Sequence, residues 1–280
     1  MIKKEKIFFT VKAYPTLSGK YGELVCTAGV REDGSWVRIY PMPFRRFEDY
    51  KRFKKYTWVE MQLQNNTSDP RPESFKPLGW DFEILDSVDC KNNWARRKEL
   101  VLKNNIYDNM SVLIDKANKN ELSLATFKPA KVIDFIWKDV DREWDSKKLE
   151  NTLMDLKQTL LFDVEGFKKE FRIISKLPYR FKYKFEDITG KCSEMMIEDW
   201  ETGQLFWNCL NKYGSEQAAL EKVKQKYFDE FVSKKDLYFF LGTTKQFHGW
   251  AKNPFLIVGT FHPPKEKKEV QMSLEFPDFP

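Results

Sequence analysis

Alternating hydrophobic and polar residues in the first ninety positions predict a series of short β-strands. Successive side chains of a strand point to opposite faces, so strict alternation indicates a strand with one buried face. The segment YTWVEMQLQ at 56–64 shows this most clearly, with Val59, Met61 and Leu63 on the apolar face. Apolar runs bounded by turn-forming residues predict further strands at 6–12, 23–31, 35–40 and 80–86. Closely spaced short strands are typical of a small antiparallel β-barrel-like domain, of the OB- or PUA-like kind.

Two glycines indicate where the backbone of this sheet is constrained. Asp33-Gly34 stands between two predicted strands and is a strong signal for a tight hairpin. Gly29 lies inside a predicted strand, where a glycine indicates a bulge or the close approach of another backbone.

Helical spacing of apolar residues becomes common beyond the predicted sheet. Leu149, Leu153 and Leu156 recur at intervals of three and four, which predicts a helix over 147–161. Further helices are predicted at 93–118, 194–212 and 215–232, and further strands at 131–137, 179–185, 236–242 and 254–261. The predicted fold class is therefore α+β. It divides into a β-rich basic domain at 1–90, a helical connecting region at 91–165, an α/β domain ending in a β-hairpin at 166–264, and a tail at 265–280.

The charge of the chain is concentrated near its N-terminus. The formal net charge is +6, and residues 1–60 alone contain 13 Lys and Arg against 7 Asp and Glu. A local basic excess is the electrostatic signature of a polyanion-binding surface. The alternative is an ordinary solvated face with a chance excess of lysine and arginine.

The strand predicted at 35–40 places an arginine between two aromatic rings. Trp36, Arg38 and Tyr40 share one face, because alternate side chains of a strand point the same way. Exposed rings stack on nucleic-acid bases, and a guanidinium pairs with phosphate. In the alternative interpretation the rings are buried and Arg38 pairs with a carboxylate such as Glu23 or Glu60.

The following segment, FRRFEDYKRFKKY at 44–56, interleaves aromatic and basic residues. Its five rings recur every three residues, and a helix of 3.6 residues per turn cannot place them all on one buried stripe. We expect either two short pieces or partly exposed rings. The basic residues between them are candidates for nucleic-acid contacts: Arg45, Arg46, Lys51, Arg52, Lys54 and Lys55. The alternative is an amphipathic element that covers a core.

A loop between the last two predicted strands offers a second candidate contact. Residues 243–253 contain Lys245, His248, Trp250 and Lys252. Loops held by rigid strands often carry binding residues. We predict that Trp250 lines a groove with His248 and contacts a base or nucleotide.

The sequence evidence for a catalytic or metal-binding site is much weaker than the evidence for nucleic-acid contacts. Acidic residues cluster at Glu186-Asp187 and near Asp199, and Glu194, Glu198 and Glu201 have the spacing of one helix face. Nothing in the sequence matches a complete catalytic motif. Four scattered cysteines and two histidines do not form a zinc-binding pattern, so neither a metal nor a cofactor is expected.

The C-terminal tail contains the segment QMSLEF at 271–276. Gln271, Leu274 and Phe276 resemble the short peptides that bind bacterial sliding clamps, although a glutamate precedes Phe276. This resemblance implies a clamp or another protein subunit as a partner. The alternative is a final edge strand with Met272, Leu274 and Phe276 on one face.

The sequence therefore predicts a protein that binds single-stranded or modified nucleic acid, DNA or RNA, by electrostatic capture and base stacking. One alternative is a nucleic-acid- or nucleotide-processing enzyme with a carboxylate-centred site, and another is a protein–protein adaptor. No segment approaches the roughly twenty apolar residues of a membrane-spanning helix. We accordingly expect a cytoplasmic protein with no membrane partner.

Overall fold

The computed structural model describes residues 3–18, 21–160 and 172–266 and shows a mixed α+β chain. Its N-terminal part is built almost entirely of strands. These are β1 (Lys3–Lys12), β2 (Thr16–Ser18), β3 (Gly22–Leu24), β4 (Thr27–Val30), β5 (Trp36–Ile39), β6 (Thr57–Asn65) and β7 (Ser74–Ser87). The tail residues Gln271, Leu274 and Phe276 lie outside the described residues.

Five of these strands form one sheet, in the order β1-β4-β5-β7-β6. Strand β1 pairs antiparallel with both β4 and β6, and β6 pairs antiparallel with β7. The prediction of an all-antiparallel sheet is wrong at one place, because β5 and β7 pair in parallel over two residue pairs. Strands β2 and β3 form a separate two-stranded hairpin.

The predicted alternation of β6 is confirmed, since Val59, Met61 and Leu63 are all buried. Two other predictions need correction. The strand expected at 23–31 is divided between β3 and β4, and the strand expected at 80–86 is the second half of a longer β7 that begins at Ser74. The first half of β7 is not predicted as a strand because it follows a run of polar, turn-forming residues. It nevertheless pairs with β6.

The C-terminal part mixes helices and strands. The helices are α1 (Lys91–Val101), α2 (Met110–Asn118), α3 (Ser146–Leu160), α4 (Trp200–Tyr213), α5 (Glu216–Lys224) and α6 (Phe231–Lys234), with a π-helical segment (Gln225–Glu230) joining the last two. The strands are β8 (Ile106–Tyr107), β9 (Leu124–Phe127), β10 (Lys131–Asp139), β11 (Tyr179–Glu186), β12 (Cys192–Met196), β13 (Tyr238–Thr243) and β14 (Phe255–Phe261). They form two sheets, ordered β10-β11-β12 and β14-β13-β9-β8.

The helix predicted over 194–212 begins only at Trp200, because the residues before it form β12 and pair with β11. Glu194 therefore lies on a strand and does not share a helix face with Glu201. The single helix predicted at 93–118 is likewise two helices, α1 and α2, with the short strand β8 between them. No helix in the described ranges is long and apolar enough to cross a lipid bilayer.

The two parts of the chain are joined by backbone contacts at the end of β1. Ala13 forms a β-bridge with Asp199, and the Tyr14 amide donates to the Glu198 carbonyl at 2.8 Å. One core lies inside the N-terminal sheet. A second core packs this sheet against β13 and β14, and its buried members include Phe8, Val11, Phe240 and Phe261.

Strand β1 contains a bulge that changes which side chains share a face. Phe9 pairs with Gly29 and Val11 with Ala28, so Thr10 is the extra residue. Phe9 belongs to the core inside the sheet, whereas Phe8 and Val11 both belong to the second core. The expected close approach at Gly29 is confirmed, since a Cβ there would lie 2.3 Å from the Phe8 carbonyl oxygen.

We expect Gly29→Ala to destabilise the protein, because a methyl group at this position collides with backbone that cannot rotate away. Overpacking typically costs about 1–3 kcal/mol, which corresponds to several degrees of melting temperature. Gly79→Ala is the matched control, since a Cβ at Gly79 meets no atom within 4 Å. Equal melting temperatures for the two variants would contradict this account.

Candidate functional site

The face with Trp36, Arg38 and Tyr40 is covered by the C-terminal part of the chain. Arg38 is only 2% exposed, and its guanidinium donates to the Ser123 hydroxyl at 2.6 Å and to the Ser123 carbonyl at 3.1 Å. Trp36 is half-buried and packs edge-on against Phe240. The expectation of an exposed row is therefore wrong for Arg38, and so is the alternative pairing with a carboxylate of β3 or β6.

The segment 44–56 breaks into short pieces, as the ring spacing requires. Two single 3₁₀ turns, Phe44–Arg46 and Asp49–Lys51, replace a helix. Four of the five rings are buried and Tyr50 is 67% exposed. The cations are largely engaged within the protein: Arg45 pairs with Glu23, Lys51 donates to the Trp80 carbonyl, Arg52 pairs with Asp49, and Arg46 is buried.

The end of this segment, together with β1, α1 and the α4–α6 region, encloses a cavity of about 680 Å³, which we call the basic pocket. Its cationic lining residues are Lys12, Lys54, Lys55, Arg97 and Lys226. Its ring-bearing lining residues are Phe44, Phe53, Tyr56, Trp94, Trp200, Tyr227, Phe231 and His262. Glu201 is the carboxylate of the lining. A cavity of this size lies within the usual range of ligand sites, about 300–1,000 Å³.

Lys12 is the most unusual residue of the basic pocket. The bulge at Thr10 places Lys12 on the side of Phe9, and its ammonium lies 3.7 Å from the centre of the Phe44 ring. It donates to the Phe53 carbonyl, and among the described residues it has no carboxylate partner. Burial, reinforced by the neighbouring charge of Lys55, lowers its pKa from 10.5 to about 7. An anion entering the pocket would supply the missing counter-charge.

Lys55 is buried as well, but it is paired. Its ammonium lies 2.9 Å from Glu201 Oε2 and 3.3 Å from Asp199 Oδ2. Burial alone would lower the Lys55 pKa, and the two carboxylates outweigh it and raise the pKa well above its usual value. Lys55 is therefore a fixed positive charge at one wall of the pocket.

Trp94 reaches the pocket through an unusual backbone conformation. Asn92, Asn93 and Trp94 have positive φ angles of 48°, 53° and 65°. Left-handed backbone is unfavourable for residues other than glycine and is least so for asparagine. This turn places the Trp94 ring beside Arg97, whose guanidinium lies 4.0 Å from the centre of the Tyr56 ring and 4.9 Å from that of Trp94. Strained backbone of this kind often occurs at functional sites.

His262 completes the aromatic wall as a neutral ring. It stacks on Phe231 with the ring centres 3.8 Å apart. Burial, together with the charge of Lys55, lowers its pKa to about 3. Its buried Nδ1 atom makes no hydrogen bond within the described part of the chain. The ring therefore adds no charge to the wall of the pocket.

The loop 243–253 lies away from this pocket. The His248 ring is held by Thr243 Oγ1 at 3.0 Å and by Asn120 Oδ1 at 2.7 Å. Trp250 is 68% exposed, packs against Phe247, and donates to the Gln246 carbonyl. Lys245 and Lys252 are exposed. A ligand role for these four residues stays a prediction.

Of the two neighbouring carboxylates proposed for catalysis, Asp187 has a structural task, because it accepts hydrogen bonds from the Met110 amide and from Thr189. Glu186 lies at the end of the central strand β11, where its backbone pairs with Lys131 and Cys192. Asp199 does lie at the basic pocket through Lys55. In the described ranges, no group of three or more His, Cys, Asp or Glu side chains is arranged to hold a metal ion.

Sequence reasoning found Lys54 and Lys55 but missed Lys12, Trp94, Arg97 and His262. Simple alternation along 6–12 places Lys12 with Phe8, on the wrong face, because the bulge has no clear local signal. The three-residue spacing of the rings in 44–56 did indicate the region correctly, since Phe44, Phe53 and Tyr56 line the pocket.

The lowered Lys12 pKa predicts a pH-dependent stability difference between the native protein and Lys12→Met. Between about pH 7 and pH 10.5 the unfolded chain binds more protons at Lys12 than the folded chain, so native stability rises with pH. We expect Lys12→Met to melt above the native protein near pH 7, with the advantage shrinking towards pH 10. Lys54→Met, at an exposed position, is the control. A difference independent of pH would contradict the burial of an unpaired ammonium.

Two family models divide the chain. Residues 3–103 match the model described as Domain of unknown function (DUF8758), and residues 107–277 match the one described as Domain of unknown function (DUF8757). No curated protein matches the chain. The boundary between the two matches falls between α1 and β8. Because the second match spans more than half of its residues, the chain belongs to the DUF8757 family, preceded by a region that matches DUF8758.

Proposed function

We propose that the protein binds single-stranded or modified nucleic acid, and that the basic pocket receives a base together with a phosphate. The observation that carries the proposal is the composition of this pocket. Five cationic side chains face one carboxylate, and aromatic rings form its walls. A ligand that matches both features carries negative charge and a flat ring, as a nucleotide does.

The cations divide into two roles in this proposal. Lys12 and Arg97 lie among the rings, where a phosphate would neutralise the unpaired Lys12 ammonium. Lys54 and Lys226 are exposed and attract the remaining backbone of a strand. Lys55 is already paired with Asp199 and Glu201, so in this proposal it positions the bound ligand more than it attracts it.

The rings supply the second part of the binding energy. Stacking of a base on an aromatic side chain contributes about 1–3 kcal/mol. Trp94 is half-buried at the pocket and lies 5.5 Å from Phe261 and 5.2 Å from His262, measured between ring centres. A base that enters the pocket would stack on the Trp94 ring beside the Arg97 guanidinium. The N-terminal sheet, which we propose to be OB- or PUA-like, would serve as the rigid base of this site.

A nucleotide-processing enzyme is the second candidate, supported by one group of residues. The buried Lys55 and Asp199 side chains form a charged cluster with the half-exposed Glu201, next to Lys12, whose pKa is about 7. Titratable groups with shifted pKa values in a cavity are a common mark of catalytic sites. Turnover of an oligonucleotide or nucleotide that is lost in Glu201→Gln would identify this activity.

The neighbouring arginines of α1 provide a matched test of binding. Arg97 lies over the rings of the pocket, whereas Arg96 is exposed and pairs with Glu99 on the surface. We expect Arg97→Ala to weaken binding of a fluorescently labelled single-stranded oligonucleotide and to reduce the salt slope by about one. Arg96→Ala should bind like the native protein. Fluorescence anisotropy over a series of salt concentrations measures both quantities for DNA and RNA.

Trp94→Ala tests the stacking contribution separately. Loss of one stacked base is worth about 1–3 kcal/mol, or roughly 5- to 150-fold in Kd, with the salt slope unchanged because no charge is removed. If Arg97→Ala and Trp94→Ala both keep their fold and native affinity, the basic pocket is not the nucleic-acid site.

A further inference from the structure

A second cavity lies behind the basic pocket, between the N-terminal sheet and the β13–β14 hairpin. Its volume is about 310 Å³, and we call it the junction pocket. Neighbouring residues divide between the two cavities. Val11, Ala13 and Glu198 line the junction pocket. Lys12 and Glu201 line the basic pocket.

Two arginines are fixed in one wall of the junction pocket. Arg38 is held by Ser123, as described above. The Arg71 guanidinium donates to the Asp69 carboxylate at 2.7 and 2.9 Å and to the Thr243 carbonyl. A guanidinium has five N–H donors, so the three side-chain bonds of Arg71 leave two of them for a ligand. Both arginines are almost completely buried.

Glu198 brings a carboxylate to the same cavity. Its backbone is fixed, because its amide donates to the Ile257 carbonyl at 2.8 Å and its carbonyl accepts from Tyr14. Its side-chain carboxylate makes no hydrogen bond or ion pair within the residues that the structure describes, and burial raises its pKa. Arg38, Arg71 and Glu198 all line the junction pocket, together with Cys26.

The remaining walls are small, apolar and close together. Val11, Ala28, Leu124, Leu256 and Val258 contribute them. A Cβ at Gly242 would be in tight contact with the Val258 side chain, at 3.1 Å. The volume is at the lower end of the range for ligand sites. These walls favour one flat heterocycle over a larger ligand. Ser68 and Lys245, both exposed, lie at the opening.

We propose that the junction pocket is a second ligand site, which binds a guanine-type base through the Glu198 carboxylate and the Arg71 and Arg38 guanidiniums. Guanine presents two adjacent N–H donors on one edge and the acceptors O6 and N7 on another. A carboxylate accepts from the first edge, and a guanidinium donates to the second. Adenine lacks the adjacent donors, and a paired guanine has no free donor edge. The ligand is therefore an unpaired base, either in a strand or in a free nucleoside.

This second site goes beyond the function proposed above and does not depend on it. Guanosine carries no phosphate, so its binding does not require the cations of the basic pocket. Isothermal titration calorimetry with guanosine and adenosine is the direct test. We expect guanosine to bind at least about tenfold more tightly than adenosine, within the discrimination typical of one bidentate pair.

Glu198→Gln is the key variant, because it keeps the size of the side chain and removes the second acceptor oxygen. We expect it to weaken guanosine binding by about tenfold or more and Lys12→Met to leave that binding unchanged. Glu194→Gln is the matched control, since its carboxylate is exposed and pairs with Lys182 outside the pocket. Val258→Phe fills the cavity and should abolish binding, and this variant decides the question if Glu198→Gln does not fold.

A second arm uses thymidine oligonucleotides with and without one central guanine, so that a base within a strand is distinguished from a free nucleoside. Binding of either guanine-containing probe that is lost in Glu198→Gln, or in Val258→Phe where the first variant fails to fold, supports the proposal. The proposal is overturned if guanosine and adenosine bind equally, or if neither guanosine nor the guanine-containing oligonucleotide binds. It is also overturned if guanine binding is unchanged in folded Glu198→Gln or in Val258→Phe.

Discussion

Both cavities depend on one backbone junction, the short pairing of the end of β1 with the residues before α4. The Ala13–Asp199 bridge and the hydrogen bond from Tyr14 to Glu198 hold two segments that are far apart in sequence. Neighbouring side chains at this junction line different cavities. Lys12 and Glu201 line the basic pocket, whereas Val11 and Glu198 line the junction pocket.

The two cavities differ in how they hold charge. In the basic pocket Lys12 has no carboxylate partner among the described residues, whereas Lys55 has two. In the junction pocket the arginines are held by protein oxygens, and the Glu198 carboxylate makes no hydrogen bond or ion pair within the described part of the chain. Burying an unpaired charge is costly for folding. Residues of this kind are accordingly the natural places to look for ligand contacts, and they occur on opposite sides of one β-strand.

The strand that contains Trp36 and Arg38 shows how a correct local observation can lead to a wrong prediction of which residues are exposed. Trp36 and Arg38 do share one face of β5, as alternation requires, and Tyr40 follows the end of the strand. That face is not solvent, because β9 and β13 pack over it and Ser123 takes the bonds of Arg38. Alternation reveals that two faces differ, but it contains no information about whether a second layer covers the polar one. In the same way, the basic excess of residues 1–60 is real, but much of it is engaged by internal carboxylates and carbonyls.

The sequence by itself determined the parts that depend on local periodicity and turn chemistry. These include the strand at 56–64, the aromatic buried face of β11, the hairpin strands at the C-terminal end, and the broken path of 44–56. Only the tertiary structure decided which residues form the pockets. The bulge at Thr10 exists only relative to β4, and it reverses the side to which Lys12 points. Trp94, Glu198 and His262 come from distant segments with no shared local pattern, and only packing places them at the two pockets. Local spacing determines how a side chain lies on its own element, whereas a site depends on distances between elements.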